Sequence, residues 1–242
     1  MLVQRLAEIP IGLWLLLMAG PFLFLLGTVA VSIGFVIRST PPEQISSEVM
    51  AFVPHILLGV LFCLLMALFA AFPNSSKAAW MPLVNDKALI DVMVGMLCGA
   101  ILAFAYIYWL APLLEYFQST FGDYVSPGSV LKTVSSSITL FFLANVILAP
   151  LVEETLYRGV ALPMLETELG VTWAVLLSCL FFGLLHWMGG VWYMILTGVV
   201  AGGLFTGLYY VRGGVMAPFA AHLTLNLIEY IYAFRVQTIA QQ

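Results

Sequence analysis

Three short stretches of this 242-residue sequence put groups able to move protons or hold charge into otherwise apolar surroundings. The first, Ala149-Pro150-Leu151-Val152-Glu153-Glu154-Thr155-Leu156-Tyr157-Arg158-Gly159, sets two adjacent carboxylates and a guanidinium in a very apolar run. On a helix, Glu154 and Arg158 stand four residues apart with the acid on the N-terminal side, the favourable orientation for an ion pair. Glu153 is turned by about 100° from its neighbour and cannot share that geometry as easily. One carboxylate is thus expected to neutralise Arg158, either as a structural pin between helices or as electrostatic support for a site. Glu153 is left free to act as a general base.

The second stretch, Phe182-Gly183-Leu184-Leu185-His186, sets an imidazole one helical turn from an aromatic ring. The third, His222-Leu223-Thr224-Leu225-Asn226, aligns an imidazole and an amide on one helix face. A hydrolytic site needs such groups beside its base: a second polar residue to orient water, and donors for a developing oxyanion. Taken singly, each histidine reads as a hydrogen-bonded contact between helices. Phe182 reads as packing and a wall of a groove. Glu229 shares the face of His222 and Asn226, where it either enters the same cavity or holds Arg235.

These groups must be positioned by elements that lie in a membrane. The chain is 63% hydrophobic and 8% charged, with a mean hydropathy of +1.08, far from the composition of soluble domains. A net charge of −4 with no run of Lys and Arg argues against nucleic-acid binding. Cys63, Cys98 and Cys179 lie singly in apolar segments and read as small hydrophobes.

A spanning helix needs about 20 apolar residues. Candidates run over 11–37, 49–72, 89–117, 138–167, 171–188, 191–211 and 215–234, which predicts an all-α polytopic bundle of about seven spans. Residues 1–137 form three N-terminal spans with their loops, residues 138–234 a core holding the polar groups, and the whole reads as one membrane domain. The apolar run of the first span is too long for a signal peptide and is expected to stay as an anchor. Ser39 to Glu48, Pro73 to Lys87 and Gln118 to Ser137 read as polar connectors, with Ser135-Ser136-Ser137 a candidate cap for the fourth helix. Gly95-xxx-Gly99, Gly198-xxx-Gly202 and Gly203-xxx-Gly207 predict close helix packing. Asp91, Glu115 and His55 fall near span ends, where interfacial water would satisfy them. With the N-terminus in the cytoplasm, Arg5, Lys77, Lys87, Arg158 and Arg212 fall inside, against Arg38, Lys132 and Arg235 outside, a weak majority for that orientation.

Ionisable groups inside spans are costly and mark functional sites by default. At ~1.5 Å per residue, Glu153 lies roughly 20 Å from the end of the fourth span, and His186 roughly 23 Å along the fifth. On the same scale His222 and Asn226 lie roughly 10 and 17 Å into the seventh. All four can face one cavity, provided that the fourth helix is kinked rather than ended at Pro163.

Glu-Glu-x-x-x-Arg, Phe-x-x-x-His and His-x-x-x-Asn, in that order on successive membrane helices, resemble the CAAX protease and bacteriocin-processing (Abi) family of intramembrane glutamate endopeptidases. The resemblance covers roughly residues 138 to 230. It implies that Glu153 activates water with help from His186, that His222 and Asn226 stabilise the oxyanion, and that Glu154 and Arg158 support the site. It also implies a peptide or protein substrate, prenylated in the CAAX-trimming members, with no cofactor and no metal. The compact length favours a prokaryotic plasma membrane over an organellar one. Two other readings stay open: a metalloprotease with Glu153, His186 and His222 as ligands, and a non-catalytic immunity factor, scaffold or proton-coupled transporter using the same buried groups.

Overall fold

The computed structural model describes residues 2–80, 87–127 and 138–240, and among these it is helical with no strand. Among the described residues, five helices are long and apolar enough to cross a membrane: Ile11–Ile37, Pro42–Ala71, Ala88–Phe121, Ile138–Leu169 and Val191–Arg212. Val171–Leu185, between the fourth and the last of these and counted here as the fifth span, is shorter. The final helix, Met216–Ala240, carries the third polar stretch. The protein is an all-helical, multi-pass membrane bundle of about seven spans. Outward faces carry large apolar side chains such as Leu97, Trp109 and Val199, as lipid-facing surfaces require. One apolar core joins Leu13 and Leu17 of the first span and Leu61 and Leu68 of the second to Tyr157, Leu162 and Phe205 of the later spans.

The connectors hold more helix than the sequence suggests. Pro42 opens the second span with Pro41 before it, because proline's fixed φ suits the first helical turn and its missing N–H is not needed there. Pro73–Trp80 is a short helix rather than a loop. Gln118 to Phe121 complete the third span. The serine run at 135–137 lies outside the described residues.

Pro163 neither ends the fourth helix nor stands alone. Four segments among the described residues have the wide π-helical turn, Tyr106–Leu110, Phe142–Leu148, Thr155–Ala161 and Thr197–Ala201. The first three each precede a proline placed two residues beyond: Pro112, Pro150 and Pro163. A proline ring collides with the carbonyl four residues earlier, and that carbonyl falls inside the widened turn in these three cases. The local widening lets each helix continue through its proline, as membrane helices tolerate.

Glycine pairs set the approach of the third and seventh helices. A Cβ on Gly95 would lie 2.3 Å from the Ala217 carbonyl oxygen, and one on Gly99 2.2 Å from that of Ala221, next to His222. Gly198 and Gly202 likewise face Cys179 and Phe182 of the fifth helix. Gly203 and Gly207 meet nothing within 4 Å, so the expectation that this pair packs against a neighbour is corrected. Asp91 is also corrected: it is buried and pairs with Arg212 at 2.5 Å, bracing the third helix to the end of the sixth instead of leaning on interfacial water.

Gly99→Ala is expected to lower the thermal midpoint in detergent, by the ~1–3 kcal/mol typical of overpacking. Gly203→Ala, which removes a helical glycine into open space, should leave it unchanged or raise it by up to about 1 kcal/mol.

Candidate active site

The two adjacent carboxylates have different surroundings. Glu154 and Arg158 are fully buried. Arg158 Nη1 donates to Glu154 Oε1 at 3.1 Å, and its Nη2 donates to the Gly202 carbonyl at 3.0 Å. The guanidinium carbon lies 4.4 Å from the centre of the Phe182 ring, a cation–π contact. His222 Nδ1 lies 2.9 Å from the same Glu154 oxygen. Because a carboxylate accepts, Nδ1 carries the proton and the Nε2 edge is the one left to the cavity. The imidazole stacks on Phe205 at 4.8 Å between centroids. Arg158 is therefore no loop charge, and it drops out of the count that favoured a cytoplasmic N-terminus.

Glu153 is 5% exposed, and its Oε2 has no hydrogen-bond partner among the described residues. It lines a cavity of about 550 Å³, walled by Gly20 and Phe24 of the first span, Met50 and Val53 of the second, and His186. That volume is in the range of sites that take small organic groups. A smaller cavity of about 50 Å³, room for a few waters, is lined by His186, Tyr193, His222, Asn226 and Glu229. His186 and Tyr193 line both. The two cavities thus bring the four candidates Glu153, His186, His222 and Asn226 around one junction.

His186 is not inside the fifth helix, as the span 171–188 would have it, but caps its C-terminal end. Its Nδ1 lies 2.8 Å from the Phe182 carbonyl oxygen. A carbonyl only accepts, so Nδ1 bears the hydrogen and, in the neutral ring, Nε2 offers a lone pair. Asn226 Nδ2 donates to the Asn145 carbonyl at 2.8 Å, which commits one of its two N–H donors and leaves the second.

Phe182 acts as more than packing: its ring faces Arg158 and its carbonyl holds His186. Glu229 enters the smaller cavity. The motif reading missed Asn145, Tyr193 and Trp80. Asn145 lines the larger cavity, and the only signal for it was an amide in an apolar run. Trp80 Nε1 donates to Thr155 Oγ1 at 2.9 Å, tying the Pro73–Trp80 helix to the turn just after Glu154. Among the described residues, no three His, Cys, Asp or Glu side chains are grouped to hold a metal ion.

The family model described as "Type II CAAX prenyl endopeptidase Rce1-like" matches residues 135–228. No curated protein and no solved structure matches the chain. The matched segment holds all three polar stretches, so the resemblance to the CAAX protease and bacteriocin-processing family stands over those residues. The match supports a protease, a hydrolase within the membrane.

Removing one partner of the buried pair should be far more damaging than neutralising its neighbour. Arg158→Ala is expected to destabilise the protein by about 3–5 kcal/mol by stranding Glu154. Glu153→Gln should keep the wild-type thermal midpoint in detergent.

Proposed function

We propose that this protein is a CAAX-type intramembrane endopeptidase in which Glu153 activates the attacking water. The observation that carries this reading is the contrast between the carboxylates: Oε1 of Glu154 is held by both Arg158 and His222, with Oε2 buried and unpartnered, whereas Glu153 has no such cation and borders a cavity shared with His186.

A peptide segment lies in the larger cavity with its scissile carbonyl toward the junction. Water held between Glu153 and Nε2 of His186 adds to the carbonyl carbon as its proton passes to the Glu153 carboxylate. The oxyanion forms toward the smaller cavity. There the remaining N–H of Asn226, and His222 when its Nε2 is protonated, donate to it. The Glu154 carboxylate orients the His222 ring for this by holding Nδ1–H. Collapse breaks the carbon–nitrogen bond, and the proton on Glu153 goes to the leaving amine. Water supplies the new carboxyl oxygen, and no covalent acyl-enzyme is formed.

The substrate is a peptide or protein presented from the bilayer, and the membrane is a prokaryotic plasma membrane. The apolar walls contributed by the first two spans suit a segment that enters from lipid.

Peptide cleavage by the purified protein in nanodiscs tests this, with prenyl-cysteine and unmodified peptides run side by side. Cleavage is expected to fall by at least about two orders of magnitude in Glu153→Ala, the scale of a lost acid–base group, and to survive a chelator. Chelator sensitivity reversed by zinc would instead favour the metalloprotease. Solute movement into proteoliposomes without cleavage would favour a transporter.

A further inference from the structure

The turn that carries His186 is held by residues from outside the family match. The fifth helix stops at Leu185 after 15 residues, roughly 22 Å at 1.5 Å per residue, short of the ~30 Å apolar layer. His186 to Gly190 then run through a tight turn into the sixth span. Backbone that leaves the helix there needs partners within the protein, and residues 118–124 supply them. Gln118 Nε2 donates to the Gly189 carbonyl at 3.1 Å, and the Tyr124 hydroxyl donates to that of Trp187. Asp123 accepts the first two N–H groups of the sixth span, Val191 to Oδ1 at 3.0 Å and Trp192 to Oδ2 at 3.4 Å. The Trp192 indole donates back to the Gly122 carbonyl at 3.0 Å, and its ring packs on Phe117 and Phe121.

Gly190 fits this arrangement for two reasons. Its φ of +99° favours glycine, and a Cβ there would lie 2.3 Å from Asp123 Oδ2. The carboxylate sits where any other residue's side chain would begin.

We propose that Asp123 is a positioning residue for His186, fixing from the opposite half of the chain the turn that holds the imidazole between the two cavities. The inference rests on the role given to His186 in the proposed reaction. Within its own helix the His186 ring is held by the Phe182 carbonyl and its N–H by that of Gly183; beyond it the α-helix gives way to a single tight turn over Trp187–Gly189 with two internal bonds, and the Asp123, Gln118 and Tyr124 contacts tie that turn to the rest of the protein. Val125 and Ser126, directly after the clamp, line the larger cavity with Glu153 and His186, so the same segment sets a wall of the site. Both oxygens of Asp123 receive N–H donors. An asparagine would turn an NH₂ group toward one of them, which makes the carboxylate a specific requirement. Burial works to raise the Asp123 carboxyl, but the N–H groups of Val191, Tyr124 and Trp192 and the Gln118 amide outweigh it and hold the carboxyl below its usual range.

An ordinary helix cap would lower stability without moving His186, which separates the two roles. The full-length protein in nanodiscs, labelled with ¹⁵N-histidine, contains three histidines, His55, His186 and His222, assignable by single substitutions to glutamine. Asp123→Asn and Asp123→Ala are expected to shift and broaden the His186 ring signals and leave those of His55 in place. They should lower kcat for peptide cleavage about ten- to a hundredfold, as misplacement of a reacting group does, with a smaller change in KM. Asp123→Glu should recover part of both. An unmoved His186 signal in a folded Asp123→Ala protein overturns the proposal, and so does a moved signal with unchanged kcat. If Asp123→Ala does not fold, Tyr124→Phe, which removes only one hydroxyl donor, should move the same signal less far, and no movement counts against the clamp. Should the wild type cleave no peptide, the proposed reaction fails, while the ring signal still decides whether Asp123 positions His186.

Discussion

A single buried guanidinium organises the second half of this protein. Arg158 has no exposure, and taking its charge out of water costs several kcal/mol unless neighbours replace the solvent. Four helices contribute to that replacement. The fourth supplies Glu154 one turn away, the fifth the face of Phe182, the sixth the Gly202 carbonyl and the Phe205 ring, and the seventh reaches Glu154 through His222. Displacing any of these helices leaves a charge or a donor unmet in an apolar medium. The ion pair therefore works as a register pin across the fourth to seventh spans, and in that register the cavity lined by His222 and Asn226 adjoins the one lined by Glu153 through His186 and Tyr193.

The helices reach this register by departing from ideal geometry near the site. The widened turn over Thr155–Ala161 begins immediately after Glu154 and contains Arg158, and that over Phe142–Leu148 contains Asn145. Each widening shifts the phase of the residues on either side, so side chains that a regular helix would spread around its axis are brought to one cavity. The prolines that require the widening are thus part of how the site is aimed. A polar clip accompanies the turn after Glu154: Thr155 donates to the Leu151 carbonyl at 2.6 Å and accepts from Trp80.

Much of this was legible in the sequence, for identifiable reasons. Apolar length fixed the spans to within a few residues, because the bilayer penalises every alternative. The same penalty made Glu153, Glu154, Arg158, His186, His222 and Asn226 stand out; Glu153, His186, His222 and Asn226 line the two adjoining cavities, and Glu154 and Arg158 form the buried pair behind them. Gly95 and Gly99 were readable as a packing surface, whereas Gly203 and Gly207 show that spacing alone does not say whether a partner helix is there. What could not be read depends on contacts distant in sequence. Asp123 in a connector looks like any loop acid, and only the fold sets it against Val191. Trp80 and Asn145 matter through partners 75 and 81 residues away. Ser39 to Glu48 read as a polar connector, yet the second helix already starts at Pro42, because proline suits a first helical turn.

The adjacency of Glu153 and Glu154 explains why both halves of the chain are needed. Two acids four residues apart would share one helix face and compete for Arg158; two in succession point about 100° apart. One can then turn inward, its Oε1 taken by the cation and by His222, while the other borders the larger cavity. The cavity into which Glu153 looks is closed only in part by the matched segment, through residues such as Asn145, His186 and Tyr193. The other walls are Gly20 and Phe24 of the first span, Met50 and Val53 of the second, and Val125 and Ser126 beside the Asp123 clamp. The three motifs thus set the polar groups, but the room around Glu153 is shaped mostly by residues outside the motifs.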